Sequence, residues 1–270
     1  MMLHGIQDSE RFAGLTDGDL AFLVAEAAPD ARDPARLVRL VREDDQFRQA
    51  LVGDDRVFRQ VVKDEEILVK ISPALYFEVL LRRAAKDMEV ATHTLERTGS
   101  QSIPVFDTDE VVELLALPGV LLYLSQMLAS FTRISSQVTS VRVRRGIRRR
   151  VRHNDLDIDS LMGRLGSAGE EQRFGLYRRI ADVCLFLSGI FPAYARADHR
   201  YPSGALRPMV TGRMRRSPED YEREGTRFYG LAAQHPLARS LRLSGVLGTL
   251  RTRFNSARKP LEFIAANYMR

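Results

Sequence analysis

Apolar side chains recur every third or fourth position along most of the chain, which is the spacing of amphipathic helices. Thr16, with Asp19 at the third helical position, predicts a capped helix that ends at Ala27. Asp33-Pro34 predicts the start of the next helix, because proline at the first helical position forfeits no hydrogen bond. Short apolar groups between residues 37 and 61 then indicate several short helices packed around one another.

Two longer helices are predicted in the middle of the first half. Ser72-Pro73 opens the first, which we expect to run to a left-handed stop at Gly99. Its apolar face is predicted to consist of Phe77, Leu80, Ala84, Met88, Ala91 and Leu95. Asp107-x-x-Glu110 resembles a capping box and begins the second, which Pro118-Gly119 interrupts.

The second half continues the helical pattern. Ser167-x-x-Glu170 resembles another capping box and opens a helix that is apolar on every side around residues 183–187. A helix with no polar face must be surrounded by others, so we expect this one to be the central core helix. Ser217-Pro218 starts a helix that ends near His235-Pro236, and residues 237–258 and 261–268 complete the predicted set.

One segment departs from this pattern. In residues 138–151, a three-residue loop at Arg144-Arg145-Gly146 would pair Val143 with Ile147, Val141 with Arg149 and Thr139 with Val151. The helical alternative leaves Gly146 inside a thin apolar stripe, at a cost of about 1 kcal/mol relative to Ala. We favour the hairpin.

These elements predict an all-α protein, residues 1–270 forming a single multi-helix globular domain with one Arg-rich β-hairpin at about 138–151. Apolar residues make up 44% of the chain and charged residues 28%, which excludes disorder and disulfide scaffolds. The charge is divided unevenly, since residues 1–135 are acidic and residues 136–270 are basic. The two halves could attract each other within one chain or between subunits of a homo-oligomer.

The densest charged feature is a run of seven arginines in eleven residues with no acid among them. We predict that these arginines bind an anion or nucleic acid: Arg142, Arg144, Arg145, Arg148, Arg149, Arg150 and Arg152. Pairing with the acidic half, or a solvated basic face, is the structural alternative. The 37 arginines against 4 lysines in the whole chain are also typical of a GC-rich genome.

A second basic region extends from Arg227 to Lys259, with no acid between Glu224 and Glu262. At helical spacing such a region is more often a solvated surface than a binding site. It would reinforce a positive field on its side of the molecule.

Metal, cofactor and catalytic motifs are absent. The run from Asp155 to Asp159 resembles a calcium loop, but Ser160 stands where glycine is needed and Gly166 where the bidentate Glu belongs, so helix capping is favoured. We therefore predict no metal and no cofactor. If the protein is an enzyme, its site is assembled between helices, and the candidates are Glu89, His93 and Asp182.

The single cysteine, Cys184, lies in an apolar run and is predicted to be buried and unreactive. One thiol forms no intrachain disulfide, and the N-terminus lacks the pattern of a signal peptide, so we predict a cytoplasmic protein. The most apolar stretch, residues 114–131, is interrupted by Pro118 and Gly119 and predicts a buried core helix rather than a membrane span.

Three stretches resemble motifs of an uncharacterised bacterial protein family of high-GC genomes: residues 71–82, 177–182 and 185–192. The Arg-Arg-Gly turn and the helix from Tyr221 to Tyr229 are similar too, so the resemblance covers most of the chain. The family has no established activity, so the resemblance implies none. We predict a non-enzymatic interaction or regulatory protein that engages an anionic partner, nucleic acid or an acidic protein surface. An enzyme and a purely structural subunit remain the alternatives.

Overall fold

The computed structural model describes residues 14–90, 108–132, 156–193 and 216–269 with their side chains. At residues 94–98, 101–105, 136–144 and 147–154 it describes the backbone alone. Fourteen helices lie in the described residues, and every element whose side chains are described is a helix. The predicted all-α class is confirmed for this part of the chain.

The chain forms two compact units. The first unit contains Ser9–Thr132 and Lys259–Arg270, and the second contains Arg133–Arg258. The boundary at Thr132 lies close to residue 135, where the chain changes from acidic to basic. The number of domains stays a prediction.

The first unit is built around α6. Its helices are α1 (Asp17–Ala27), α2 (Pro34–Glu43), α3 (Asp45–Val52), α4 (Asp55–Lys63), α5 (Ile67–Lys70), α6 (Pro73–Val90), α7 (Thr108–Ala116) and α8 (Val120–Ser130). α6 packs against α8, α7 and α4, and α1 packs against α2. The end of the last helix of the chain belongs to this unit as well.

The predicted caps of α1 and α2 are confirmed. Thr16 Oγ1 accepts a hydrogen bond from the Asp19 amide at 3.1 Å, and Asp19 Oδ2 accepts one from the Thr16 amide at 2.8 Å. Asp19 is fully buried, and its other oxygen accepts the Ser72 amide at 2.7 Å. One carboxylate therefore caps α1 and also holds the residue that precedes α6. Asp33 caps α2, whose first residue is Pro34.

The apolar face of α6 is confirmed as far as the helix extends, since Phe77, Leu80, Ala84 and Met88 are all buried. The predicted continuation to Gly99 is wrong, because α6 ends at Val90. Thr94 and Thr98 follow shortly after, and their β-branched side chains lower helix propensity and favour extended backbone. The predicted break between α7 and α8 is confirmed: Gly119 adopts φ 81°, in the left-handed region where glycine meets no steric penalty.

Two pairs of antiparallel strands are described by backbone alone. β1 (Thr94–Thr98) pairs with β2 (Gln101–Val105), and β3 (Ser136–Arg144) pairs with β4 (Ile147–Asn154). Arg145 and Gly146 lie outside the described residues, as do the side chains of all four strands. The Arg-rich hairpin therefore stays a prediction.

The second unit is built around α10. Its helices are α9 (Ile158–Leu165), α10 (Glu170–Ile190), α11 (Pro218–Gln234), α12 (Pro236–Ser240) and α13 (Ser244–Thr252), and α14 (Phe254–Asn267) begins here. α10 packs along α11, and α11 packs along α13. Residues 180–185 of α10 are all buried, which confirms α10 as the core helix of this unit.

The predicted capping box at Ser167 is wrong. α10 begins at Glu170, and its N-cap is Gly169. Ser167 belongs instead to the chain that leaves α9, since its amide and its hydroxyl both bond to the Arg164 carbonyl. The predicted start at Ser217 is confirmed, because Ser217 caps α11 and exchanges hydrogen bonds with Asp220.

The single helix predicted over residues 237–258 is wrong. The chain leaves the helical path at Arg242, which adopts φ 58°, and α12 and α13 lie on either side of that break. The Leu243 amide bonds back to the Ala238 carbonyl at 2.7 Å and the Arg242 amide to Arg239, which is a Schellman end with arginine where glycine is usual. The predicted interruption before residue 261 is also absent, since α14 continues through Pro260.

Candidate functional site

Of the seven predicted anion-binding arginines, Arg145 lies outside the described residues. The other six belong to β3 or β4, whose side chains are not described. The backbone register sets Arg142 opposite Arg148 and Val141 opposite Arg149. The predicted pairing of Val143 with Ile147 is wrong, because the register shifts between Arg142 and Arg144 and sets Arg144 opposite Ile147. The structure does describe many side chains of the acidic half, residues 1–135, which is the alternative partner of these arginines.

One acid of that half, Glu78, has two ion-pair partners within the first unit. Glu78 in α6 is 1% exposed and lies between two guanidinium groups. Arg82 reaches Oε1 with Nη2 at 2.8 Å and Nε at 3.1 Å, and Arg48 Nη1 lies 3.2 Å from both carboxylate oxygens. Because a buried carboxylate is stable only with such partners, this cluster joins α3 to α6 and offers no charge to an outside group.

Other acids of the first unit also have local partners. Asp55 and Asp87 pair with Arg83 at 3.0 and 2.8 Å, and Asp17 pairs with Arg42 at 2.5 Å. The Lys70 ammonium group and the Glu66 amide hold the pKa of Asp64 below its usual range. The carboxylates of Asp33, Asp44 and Asp54 cap helices.

Two of the three enzyme candidates lie in the described residues. Glu89 is exposed at the end of α6 in the first unit, and His93 lies outside the described residues. Asp182 is 5% exposed in α10 of the second unit, and its Oδ1 accepts a 2.9 Å hydrogen bond from the Tyr229 hydroxyl of α11. Arg178 Nε lies 4.0 Å from its Oδ2. Asp182 is therefore part of the α10–α11 packing.

Cys184 is fully buried, as predicted. Burial raises the pKa of its thiol far above the usual range. The thiolate is the reactive form of cysteine, so this residue is unsuited to nucleophilic chemistry.

The calcium-loop residues also have structural roles. Asp157 accepts a hydrogen bond from the Ser160 hydroxyl at 2.6 Å at the start of α9, and Asp159 pairs with Arg216, which is 8% exposed. Among the residues that the structure describes, no three His, Cys, Asp or Glu side chains gather as metal ligands would.

The second basic region does not form one continuous solvated face. Arg239, Arg242 and Arg251 are exposed, whereas Lys259 is buried. The expected solvated surface is present at these three arginines and does not extend to Lys259.

Sequence reasoning missed an open groove of about 670 Å³ in the second unit. Its floor is the outer face of α11 from Glu219 to Gln234, and Arg251 of α13 closes one side. A methyl group added at Gly230 would lie 3.1 Å from Arg251 Cδ and 3.2 Å from its Nε, so the arginine side chain rests against bare backbone. The only signal in the sequence was a glycine inside a strong helical pattern.

No single helix in the described residues is long and apolar enough to cross a membrane. α7 and α8 pass that test only as a pair, and they are bent by 89°. Comparison of the chain with protein-family models, with curated proteins and with solved structures found no match. The resemblance to a family of high-GC bacteria therefore stays a prediction.

Proposed function

We propose that this protein is a non-enzymatic interaction protein of the cytoplasm that binds nucleic acid through the Arg142–Arg152 segment. The observation that carries the proposal is a run of seven arginines without a single acid. Such a run repels itself unless an anion lies near, and a polyphosphate backbone supplies anions at regular spacing. The proposal requires no cofactor.

A hairpin is the structure that we propose for this segment. The backbone register, with Val141 opposite Arg149 and Thr139 opposite Val151, supports it. In a hairpin, facing positions share a face and every second residue returns to it. Arg142, Arg148, Arg150 and Arg152 would then form one basic row, as in the β-ribbons that bind nucleic acid.

An external partner is favoured over the acidic half of the same chain. The acids Glu78, Asp55 and Asp87 already pair with arginines of their own unit, and Asp19 is fully buried. A further arginine would have to displace Arg48 or Arg82 from Glu78, or Arg83 from Asp55 and Asp87.

The salt dependence of binding tests this proposal. Affinity of the full chain for a short duplex and for a single strand is measured by fluorescence anisotropy between about 50 and 300 mM salt. Each phosphate neutralised on duplex DNA contributes about 0.9 to the slope of log affinity against log salt. Replacing Arg148, Arg149 and Arg150 with Ala is expected to flatten that slope by up to about three units, equally for any base sequence.

A charge-matched control variant distinguishes the effect of the Arg142–Arg152 segment from the effect of the net charge of the protein. Arg32, Arg36 and Arg39 are exposed in the first unit, and none is in an ion pair with a described residue. Replacing those three with Ala is expected to leave the slope nearly unchanged. Absence of binding by the unmodified protein at about 50 mM salt overturns the proposal. If the Arg148, Arg149 and Arg150 variant then melts lower or dissociates an oligomer, the arginines pair with protein carboxylates.

A further inference from the structure

The groove on α11 has an ordered pattern of charge along its length. Glu219 and Glu222 line the end near the helix start, and Arg223, Arg227 and Arg251 line the middle. The far end, at Leu231 and Gln234, is uncharged. Acidic and basic groups are thus arranged in sequence along one surface.

The arginines of the groove differ in their ion-pair partners. Arg223 pairs with Asp220 at 2.5 Å and Arg227 with Glu224 at 3.4 Å, both within α11. Arg251 is exposed and has no ion-pair partner among the described residues. It is therefore the guanidinium group of the groove that is best placed to bind an incoming carboxylate.

Gly230 determines where Arg251 lies. Glycine inside a helix costs about 1 kcal/mol relative to alanine. At this position it leaves the space against which Arg251 Cδ and Nε rest. Any larger residue would push the guanidinium group away from the floor of the groove. Glycine at this position therefore lowers the stability of α11 and allows the Arg251 side chain to lie against the helix backbone.

We propose that this groove binds an extended peptide segment of a partner protein, which carries a basic residue and, about four positions along, an acidic residue. The rise of an α-helix separates Glu222 from Gly230 by about 12 Å. An extended chain advances about 3.3 Å per residue, so its positions i and i+4 span the same length and point the same way. The basic residue faces Glu222, whose Oε1 also accepts a 2.6 Å hydrogen bond from Asn255 Nδ2, and the acidic residue faces Arg251.

The charge pattern disfavours nucleic acid as the occupant. Two glutamates in the groove oppose a phosphate backbone, and none of the residues that line it is aromatic, so bases have no stacking partner. The groove and the Arg142–Arg152 segment are therefore proposed to bind different partners. Either proposal can be wrong while the other holds.

An NMR titration of the full chain tests the proposal. The probe is the acetylated and amidated peptide Gly-Ser-Lys-Ser-Ala-Ser-Glu-Ser-Gly, and the readout is the shift of the backbone amides of α11. We expect shifts over residues 219–234. Replacing the Lys or the Glu of the peptide with Gln should weaken binding about threefold each, the size that an exposed ion pair allows.

Variants of the protein test whether the acidic residue of the peptide contacts Arg251. Arg251→Ala should weaken binding about threefold, and the charge-matched control Arg239→Ala, outside the groove, should not. Arg251→Glu should reverse the preference, so that a peptide with Lys at both positions binds better than the Lys/Glu peptide. Gly230→Ala should weaken binding while keeping the charge, with no further effect in the Arg251→Ala background.

Several results would overturn the proposal. They are shifts that lie away from α11, equal binding of the peptide with Gln at both positions, and an unchanged preference in Arg251→Glu. Displacement of the peptide by a DNA duplex at the same amides would identify nucleic acid as the occupant instead. The Arg148, Arg149 and Arg150 variant should bind the peptide normally, which keeps this test independent of the proposed function.

Discussion

The hydroxyl group of Tyr229 in α11 donates a 2.9 Å hydrogen bond to Oδ1 of Asp182 in α10, and both residues are buried. The bond joins the two most extensively packed helices of the second unit. It satisfies a carboxylate that would otherwise be costly to bury. Asp182 therefore stabilises the packing of α10 against α11.

Removing that hydroxyl group should destabilise the protein. Tyr229→Phe leaves Asp182 without this donor, and we expect the free energy of unfolding to fall by about 1 to 3 kcal/mol in urea denaturation. Tyr177→Phe on α10 removes a hydroxyl from a half-buried ring and should cost much less. Equal effects of the two changes would contradict the structural role of the Tyr229–Asp182 pair.

Two glycines of α11 should respond in opposite directions to alanine. A methyl group at Gly225 would lie 2.3 Å from the ring of Phe254 and 3.1 Å from Cys184 Cβ, so Gly225→Ala should destabilise by about 2 kcal/mol through overpacking. Gly230→Ala meets only the flexible end of Arg251 and should be neutral or stabilising by up to about 1 kcal/mol. Urea midpoints of the two variants measure the contrast.

Arg242 occupies a backbone conformation that favours glycine. Its φ of 58° costs an L-residue about 1 to 2 kcal/mol. We expect Arg242→Gly to raise stability by about 1 kcal/mol, part of the gain being offset by the greater freedom of glycine in the unfolded chain. Arg239→Gly, inside α12, should instead lower stability by roughly 1 kcal/mol. Thermal melting of both variants should give shifts of opposite sign.

Cys184 should resist modification while the protein is folded. Its thiol is fully buried, and burial raises its pKa, so neither access nor thiolate is present. Reaction with an aromatic disulfide reagent at pH 8 should be slow in the native state and rapid in guanidinium chloride. Rapid labelling without denaturant would show that α10 is not the core of its unit.

Tyr268 should make stability sensitive to alkali. Burial and its hydrogen bond to Asp87 raise the pKa of the Tyr268 hydroxyl above its ordinary value of 10.0. The neutral form is favoured in the folded state, so this contribution is complete below about pH 10 and is lost as the pH rises further. Tyr268→Phe should lower stability by about 1 kcal/mol at pH 7 and reduce the loss between about pH 10 and 12.

The stability of Tyr268→Phe below pH 10 serves as the control for this prediction, because the hydroxyl group does not ionise there. Tyr268→Phe retains the ring that contacts Phe58 at 5.1 Å and Phe263 at 5.7 Å, so packing is preserved. If the stability of the variant declined with pH as steeply as that of the unmodified protein, the Tyr268–Asp87 bond would not be the source of alkali sensitivity.

Local signals in the sequence predicted the helical class and many helix starts. The caps at Thr16, Asp33 and Ser217 depend on residues no more than three positions apart, so sequence alone specifies them. The buried faces of α6 and α10 follow from apolar periodicity, and so does the burial of Cys184. These features need no knowledge of distant parts of the chain.

Tertiary structure decided the features in which side chains far apart in sequence meet. Asp19 holds the Ser72 amide, and Glu78 lies between Arg48 and Arg82, although nothing in the local pattern of either acid specifies its partner. The break at Arg242 replaces one predicted helix with two, because backbone hydrogen bonds to Ala238 and Arg239 outweigh the strain of a left-handed arginine. The groove exists because α13 lays Arg251 against Gly230 of α11, and only the packing of those two helices brings the residues together.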